Sequence, residues 1–482
     1  MSLKSVVLAS LVWKFLERFG SQAMQFVVSI ALARLLSPDD FGLVALVMVF
    51  IALANVFVQS GLNTALVQKK NADNVDFSTV FYASILIALF FYGLLFFTAP
   101  VIAEFYNGRE IIIPVIRVLG LTLLLGSLNS VQAAYIERNM MFKKLFYRSV
   151  GAIIPAGLFG VALAFAGFGI WALVGQQLLN SFLMCAIMWF TVKWRPSLVF
   201  SFERFRKLFS FGWKLLVSAL LDTGYRNIRD LVIGKLFSAT DLGYYNRGDQ
   251  FPRIIISNIN SSIQSVLLPS LSTVQDDRER LKQLVRRSIK TSAFLILPMM
   301  AGLAAVAEPL VLVVLGEKWL PAVPFIQICC FSYAFWPIHT TNLSAINAVG
   351  RSDVFLKLEI IKKTYGLAVL LLTIWLFRSP EGIAMSAAIT APIGSFVNAY
   401  PNKKFLGYGF VDQMRDFLPA FLLSVAMGGG IYALSKVIIM SPWLLLPVLV
   451  IAGGLIYVLG AKLFRLESFD YILNTVKELR KK

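Results

Sequence analysis

Charge is scarce in this chain. Only 15% of its 482 residues are charged, 58% are hydrophobic, and the mean hydropathy is +0.75. Soluble globular chains carry about 25% charged residues, so a soluble enzyme of ordinary type is excluded. Acidic residues are scarcer than basic ones: 26 Asp and Glu face 45 Lys and Arg, a formal net charge of +19. In a water-soluble protein that excess would point to nucleic acid, but in so apolar a chain the cations must sit in and around a membrane, and nucleic acid is not expected as a partner. Histidine is almost missing, and His339 has no Cys, Asp or second His at ligand spacing, which reads as a packing or hydrogen-bonding residue and sets metal chemistry aside. Cys185, Cys329 and Cys330 lie inside apolar runs, two of them adjacent, and read as small core hydrophobes. There is no GxxxxGK[ST] phosphate loop, no nucleophile elbow and no HExxH pair, so neither ATP hydrolysis nor a catalytic constellation is expected.

What the chain does have is long apolar runs. A helix needs about 20 apolar residues to cross a hydrocarbon core of about 30 Å. Fourteen stretches qualify: 10–36, 41–66, 77–101, 112–136, 147–167, 169–192, 211–237, 244–270, 291–315, 322–348, 360–378, 382–400, 417–438 and 443–462. The longest connections, 193–210 and 271–290, are too short to hold a soluble domain. Lys14, Glu17 and Arg18 interrupt the first apolar run, which therefore reads as a membrane helix rather than a cleavable signal. With both termini placed in the cytoplasm, alternate loops and tails hold 31 cations on that side, among them Lys4, Lys70, Arg148, Arg480, Lys481 and Lys482. Only Arg109, Lys318 and Arg378 lie on the other, and the remaining 11 cations fall in or beside the spans. That asymmetry fixes the expected orientation.

The chain repeats itself. Trp13-Lys14 opens the first span and Trp213-Lys214 the seventh, and Arg34-Leu35-Leu36-Ser37-Pro38-Asp39-Asp40-Phe41-Gly42 aligns with Lys235-Leu236-Phe237-Ser238-Ala239-Thr240-Asp241-Leu242-Gly243 at an offset of 201. Gly169-Ile170, Arg138 and Lys144 align with Gly382-Ile383, Arg351 and Lys357 at an offset of 213. The expectation is an all-α integral membrane protein of about 14 transmembrane helices in two pseudo-symmetric six-helix lobes, 1–195 and 211–402. Residues 196–210 form a cytoplasmic linker, 403–463 two additional helices, and 464–482 a basic tail. Each half has an even number of spans, so the two share one orientation, as parallel repeats do. In the tail Leu466, Phe469, Ile472, Leu473, Val476 and Leu479 fall on one side, which suits an interfacial helix; a solvated tail is the alternative.

Charges inside a bilayer are costly and usually face a water-filled cavity or a partner. In the seventh span Lys214, Ser218, Asp222, Tyr225, Arg226, Arg229 and Asp230 recur at three- and four-residue intervals, along one helix face. In the first, Lys14, Glu17, Arg18, Ser21, Gln22, Gln25 and Ser29 form a comparable stripe. The bland reading of Asp222, Arg226 and Asp230 is a set of i,i+4 ion pairs. Surplus cations such as Arg18 and Arg229 suit an anionic substrate, because guanidinium grips phosphate bidentately. Arg34, Lys235, Arg247 and Lys436 lie near span ends and read as snorkelling residues, while Arg253 lies deeper, beside Pro252. Asn55, Gln59, Asn63, Gln132, Gln176, Gln177, Asn180, Asn258, Asn260, Gln264, Asn342 and Asn347 add amides at membrane depth. Singly each is more often glue between helices; together they suit a hydroxyl-rich ligand.

The run Arg34 to Gly42, Gln59-Ser60-Gly61-Leu62, Val274-Gln275-Asp276-Asp277 and Gly316-Glu317-Lys318-Trp319 resemble the polysaccharide-export branch of the multidrug/oligosaccharidyl-lipid/polysaccharide exporter superfamily. Within it the similarity is to the teichuronic acid and colanic acid exporters, relatives of the O-antigen flippases, and it extends over essentially the whole chain. The resemblance implies a flippase/MATE-like fold, with two lobes forming a V around a cationic cavity that alternates between the sides of a bacterial inner membrane. It implies a transporter and not an enzyme, carrying an undecaprenyl-diphosphate-linked glycan from cytoplasm to periplasm. Its partners would be membrane lipids and the glycan polymerase and glycosyltransferases of the same pathway. On this reading Arg18, Arg226 and Arg229 attract the diphosphate, Lys14 stands near the cytoplasmic entrance, and Gln25 and Arg253 complete the substrate-binding set. Glu17, Asp222 and Asp230 are candidates for ion coupling. No resident cofactor is expected, the drive being a proton or sodium gradient or the membrane potential. A drug/cation antiporter of the same fold would need an acid-rich cavity, and a membrane-embedded glycan polymerase or ligase would need a large outer loop.

Overall fold

Short polar side chains, glycine and proline set the helix boundaries. The structure, a computed structural model, describes residues 3–59, 61–69, 71–275 and 277–480, with side chains at all of them except 3–12, 211, 266, 268, 475, 476, 479 and 480. Ser60, Lys70, Asp276, Lys481 and Lys482, and the side chains of Lys4, Val476, Leu479 and Arg480, therefore lie outside the described residues. Two compact units emerge, Met1–Gly243 and Tyr244–Lys482.

The first unit contains α1 (Leu3–Leu35), α2 (Pro38–Gln59), α3 (Leu62–Gln68), α4 (Asn74–Phe105), α5 (Ile112–Arg138), α6 (Phe142–Phe165), α7 (Ile170–Thr191) and α8 (Phe202–Leu236). In it α6 packs on α1 and α7, α4 on α5, and α8 on α2, α3 and α4. Helix α9 (Ala239–Ser272) begins there and continues into the second unit. The second unit goes on with α10 (Arg278–Ala305), α11 (Ala307–Val314), α12 (Val323–Ala334), α13 (Trp336–Ala348), α14 (Ser352–Phe377), α15 (Pro380–Leu406), α16 (Phe410–Val437), α17 (Pro442–Leu463) and α18 (Glu467–Arg480). Here α10 packs on α16, and α15 on α12, α13 and α14. The repeat offset divides the sequence near residue 200, whereas contacts divide the fold after Gly243, because α8 packs with the helices that precede it.

Among the described residues, 12 helical segments are long and apolar enough to cross a membrane. Helices α1 and α8, at 33 and 35 residues, are long enough but too polar, because they carry Lys14, Glu17 and Arg18 and Lys214, Asp222, Arg226 and Arg229. The expected count of about 14 included these two, which fall outside the 12, and several of the other spans are built differently. The stretch 41–66 is α2 and α3, separated at Gly61, whose φ of +85° is left-handed. The stretch 322–348 is two helices with a break before Trp336, since Pro337 has no N–H to continue the preceding ladder. The connections 193–210 and 271–290 are shorter than expected. Ser201 Oγ accepts from the Arg204 N–H (3.4 Å) and Asp277 Oδ1 from the Arg280 N–H (3.0 Å), which starts α8 and α10 early. In the tail, α18 is a helix whose Phe469 and Ile472, with Leu466 just before it, pack against the Phe294, Leu449 and Tyr457 core.

The repeat is visible as local chemistry. Ser37 Oγ donates to Asp40 Oδ2 (2.6 Å) and accepts from the Asp40 N–H (3.2 Å); Ser238 Oγ donates to Asp241 Oδ2 (2.6 Å) and accepts from the Asp241 N–H (3.0 Å). One S-x-x-D-x-G capping box thus opens α2 and again α9.

A polar cluster ties the N-terminal end of α8 to α4. Asp73 caps α4 by accepting from the Asp76 N–H (3.0 Å), and Asp76, fully buried, pairs with Lys69 (2.6 Å) and Arg204 (3.4 Å). The Arg204 guanidinium also donates to Asp73, and with the Asp76 N–H it pulls the Asp73 carboxyl from the ordinary 3.8 to about 2. A depressed carboxylate pKa contributes stability that is present above the unfolded value and lost as pH falls through the folded one, here between 3.8 and about 2. Asp73→Asn should remove that acid sensitivity. Asp73→Ala should cost about 1 kcal/mol, the worth of an N-cap. Asp76→Ala strands two cations around a buried gap and should cost about 3 kcal/mol. Thermal unfolding of the purified protein in detergent checks the order; equal losses for the two alanine variants would refute it.

Candidate functional site

The α8 stripe begins where two backbones touch. A Cβ on Gly61 would lie 2.5 Å from the Gly212 carbonyl oxygen, so α8 approaches the α2–α3 break as closely as only glycine permits. Beyond that point Asp222 accepts from Arg226 Nε (2.8 Å). The Arg226 side chain remains 75% exposed and Asp222 42% exposed. An arginine so uncovered is costly against hydrocarbon, so this face of α8 suits water or an anionic ligand. Arg229 and Asp230, one turn on, are half-buried and each has a partner.

Helix α1 is anchored to α6 by its aromatic end. Trp13 packs against Phe146 and Tyr147, Lys14 Nζ stands 5.2 Å from the Phe142 ring centroid, and Lys143 Nζ stands 5.2 Å from that of Trp13. Glu17 is half-buried and accepts from Ser149 Oγ of α6 (3.0 Å). Lys14, Arg18 and Gln25 are exposed. Two polar faces therefore exist in the first unit, borne on different neighbours: α1 on α6, α8 on α2, α3 and α4.

Arg253 lies in the second unit and pairs with Asp249 (3.3 Å), whose other oxygen accepts from the Tyr333 hydroxyl (2.8 Å). Tyr333 was not singled out in the sequence, and its spacing from Asp249 carries no local signal. The snorkelling residues have structural partners: Lys235 donates to the Phe105 carbonyl, Arg247 to Gln250 Oε1 (2.5 Å), and Lys436 pairs with Glu308 (2.7 Å). His339 is held between Asn398 Nδ2 (2.9 Å) and the Ala391 carbonyl (3.0 Å).

The second unit also holds an apolar groove of about 540 Å³ between α10, α11, α16 and α17, lined by Leu295, Met299, Leu303, Leu446 and Val450. Tyr457 brings a hydroxyl to its wall but donates it to the Phe294 carbonyl (2.9 Å), so the groove offers an apolar ligand little competition.

Residues 31–324 match the family model described as "Polysaccharide biosynthesis protein". A succinoglycan biosynthesis transport protein of Rhizobium meliloti is 28% identical over 71% of this chain and 69% of its own length. A teichuronic acid biosynthesis protein of Bacillus subtilis is 26% identical over 84% of each chain. A lipopolysaccharide biosynthesis protein of Escherichia coli is 23% identical over 96% of this chain and 90% of its own. Among solved structures, a lipid II flippase in an inward closed conformation superposes with a TM-score of 0.77 at 18% identity, covering 94% of this chain and 98% of the other. A multidrug resistance MATE family transporter of the MOP superfamily superposes with 0.59 at 15%, covering 86% and 98%. These two likenesses are of fold.

Proposed function

The chain belongs to the polysaccharide biosynthesis protein family of multi-pass membrane transporters, and on that premise we propose that it flips an undecaprenyl-diphosphate-linked oligosaccharide across a bacterial inner membrane by alternating access. The observation that carries this reading is the exposed Arg226 of α8, on a helix whose stripe also bears Lys214 and Arg229. A diphosphate is the anion that such guanidinium groups grip best. Arg18, Arg226 and Arg229 attract it, Lys14 guides it from the cytoplasmic side, and Gln25 completes the contacts of the first unit, while Arg253 of the second unit is a separate substrate contact. The apolar groove beside α17 accommodates the prenyl chain. Orientation follows from the cations, 31 against three, with both termini in the cytoplasm. Glu17, Asp222 and Asp230 are the carboxylates available for coupling to protons or sodium. Pairing of Asp222 with Arg226 favours a role in which a proton or sodium ion taken up by the Asp222 carboxylate frees the Arg226 guanidinium for the diphosphate.

Deletion of the gene followed by lipid analysis tests the reading. The expected result is a polyprenyl-linked repeat unit accumulating on the cytoplasmic face. Unchanged glycan with lost drug resistance would overturn it in favour of an antiporter. Accumulation of single, unpolymerised units on the outer face would overturn it in favour of a polymerase.

A further inference from the structure

A second polar space lies inside the first unit, apart from the exposed faces of α1 and α8. It is a cavity of about 650 Å³ walled by α2, α3, α5, α6 and α7, within the size range of small-molecule sites. Asn55 and Gln59 of α2, Asn63 and Gln68 of α3, Asn129 of α5 and Gln177 of α7 bring six amides to its wall. Three buried polar atoms on that wall have no protein partner: Asn63 Oδ1, Gln177 Oε1 and Arg148 Nε. Buried polar atoms are ordinarily satisfied, and leaving one unpaired is costly, so three around a single space call for an explanation. Arg148, which sequence alone sorts with the loop cations, stands two turns inside α6, in the field of Glu17 and Glu137. Among the described residues, Glu137 is the only acidic one on the wall and Arg148 the only basic one, so their charges balance.

We propose that this cavity seats a sugar residue of the transported glycan. Each amide offers both donors and acceptors, which matches neighbouring hydroxyl groups that also do both. A cationic drug would be met by a surplus of carboxylates, and a bare phosphate by a surplus of guanidinium or ammonium groups; the wall provides neither. Gly126 of α5 supports the same assignment. A Cβ there would stand 3.4 Å from Gln59 Nε2 and 3.9 Å from Asn55 Oδ1, so the absent side chain leaves the amides open to a ligand. The inference rests on the flippase reading for the source of the sugar, but not for the chemistry of the site.

The test uses the full-length protein with two kinds of variant. Asn63→Leu with Gln177→Leu removes two unsatisfied groups, and Gly126→Leu fills the space while keeping every polar atom; Gly126→Ala is the control. Export should fall at least about tenfold in the double variant, the factor for two lost neutral hydrogen bonds, and comparably in Gly126→Leu, whose side chain takes the ligand's place, with lipid-linked glycan accumulating in both. Gly126→Ala should export normally. The unfolding temperature of the double leucine variant should match or exceed that of the wild type, and millimolar glucose, galactose or glucuronate should raise it in the wild type alone. Normal export by both leucine variants would overturn the proposal, as would a fall in the double variant's unfolding temperature, which would make the amides structural. If the deletion strain accumulates no lipid-linked glycan, the flippase reading fails, while sugar-dependent stabilisation that the double variant abolishes would still support the cavity.

Discussion

Replacing Arg226 and Arg229 together with glutamine is expected to abolish glycan export, while the protein reaches the membrane in normal amount. Arg226 pairs with Asp222 at 2.8 Å and three quarters of its side chain is uncovered, so the fold loses little by its neutralisation. The substrate loses far more. A hydrogen bond to a charged group contributes about 1.5–3 kcal/mol, so two such losses amount to a factor of about 10² or more. The variants also separate function from structure. Arg226→Gln alone should show most of the loss. Arg229 is half-buried and already engaged, so its replacement alone should also lower the unfolding temperature. Arg226→Lys should restore part of the export, because the charge returns without the bidentate fork. Export measured against the amount of protein in the membrane decides; normal export by the double glutamine variant would remove α8 from the substrate path.

Sequence periodicity reports which face of a helix is polar: Lys14, Arg18, Gln25 and Arg226 are exposed, while Glu17, Arg229 and Asp230 on the same stripes are half-buried. The repeat of Ser37–Gly42 at Ser238–Gly243 was legible as an alignment, and the structure shows that in both copies it caps a helix. What stayed hidden depends on partners remote in sequence. Lys69 looked like one more loop cation, yet it closes on Asp76, which is wholly buried. Arg148 sat at the edge of a span, and only the convergence of five helices turns it into part of a cavity wall. The hydroxyl-rich environment read from scattered amides resolves into a subset. Asn55, Gln59, Asn63 and Gln177 line the cavity, whereas Asn342 is buried in a network with Gln413 (2.7 Å) and Asn402. Amides of one type serve as ligand contacts in one place and as glue between helices in another, and composition cannot separate the two.

Substituting alanine at Gly42 or Gly243 should be among the most damaging small changes this chain can suffer. The two glycines are equivalents in the repeat, 201 residues apart, each the last residue of its S-x-x-D-x-G box. They cross reciprocally in the first unit. A Cβ on Gly42 would lie 1.6 Å from the Ala239 carbonyl oxygen and 2.5 Å from its carbon, and a Cβ on Gly243 would lie 2.1 Å from the Pro38 carbonyl oxygen. Both obstacles are backbone atoms of capped helix starts, so neither can move aside as a flexible side chain would. The crossing is also pinned by polar contacts: Arg109 Nη1 holds the Asp39 carboxylate at 2.8 Å, and Thr240 Oγ1 donates to Asp39 Oδ1 (3.1 Å). Overpacking costs about 1–3 kcal/mol where side chains can yield, and more where they cannot. Each alanine should therefore lower the unfolding temperature by several degrees and suppress export, while Gly429→Ala and Gly430→Ala, where a Cβ meets nothing within 4 Å, should be neutral or slightly stabilising in their helix. Because the contact is reciprocal, the two damaging variants should resemble each other, and the double variant should lose less than the sum, since one separation of the strands of the crossing relieves both clashes. Wild-type unfolding and export by Gly42→Ala would show that the helix starts do not meet as closely as their paired glycines allow.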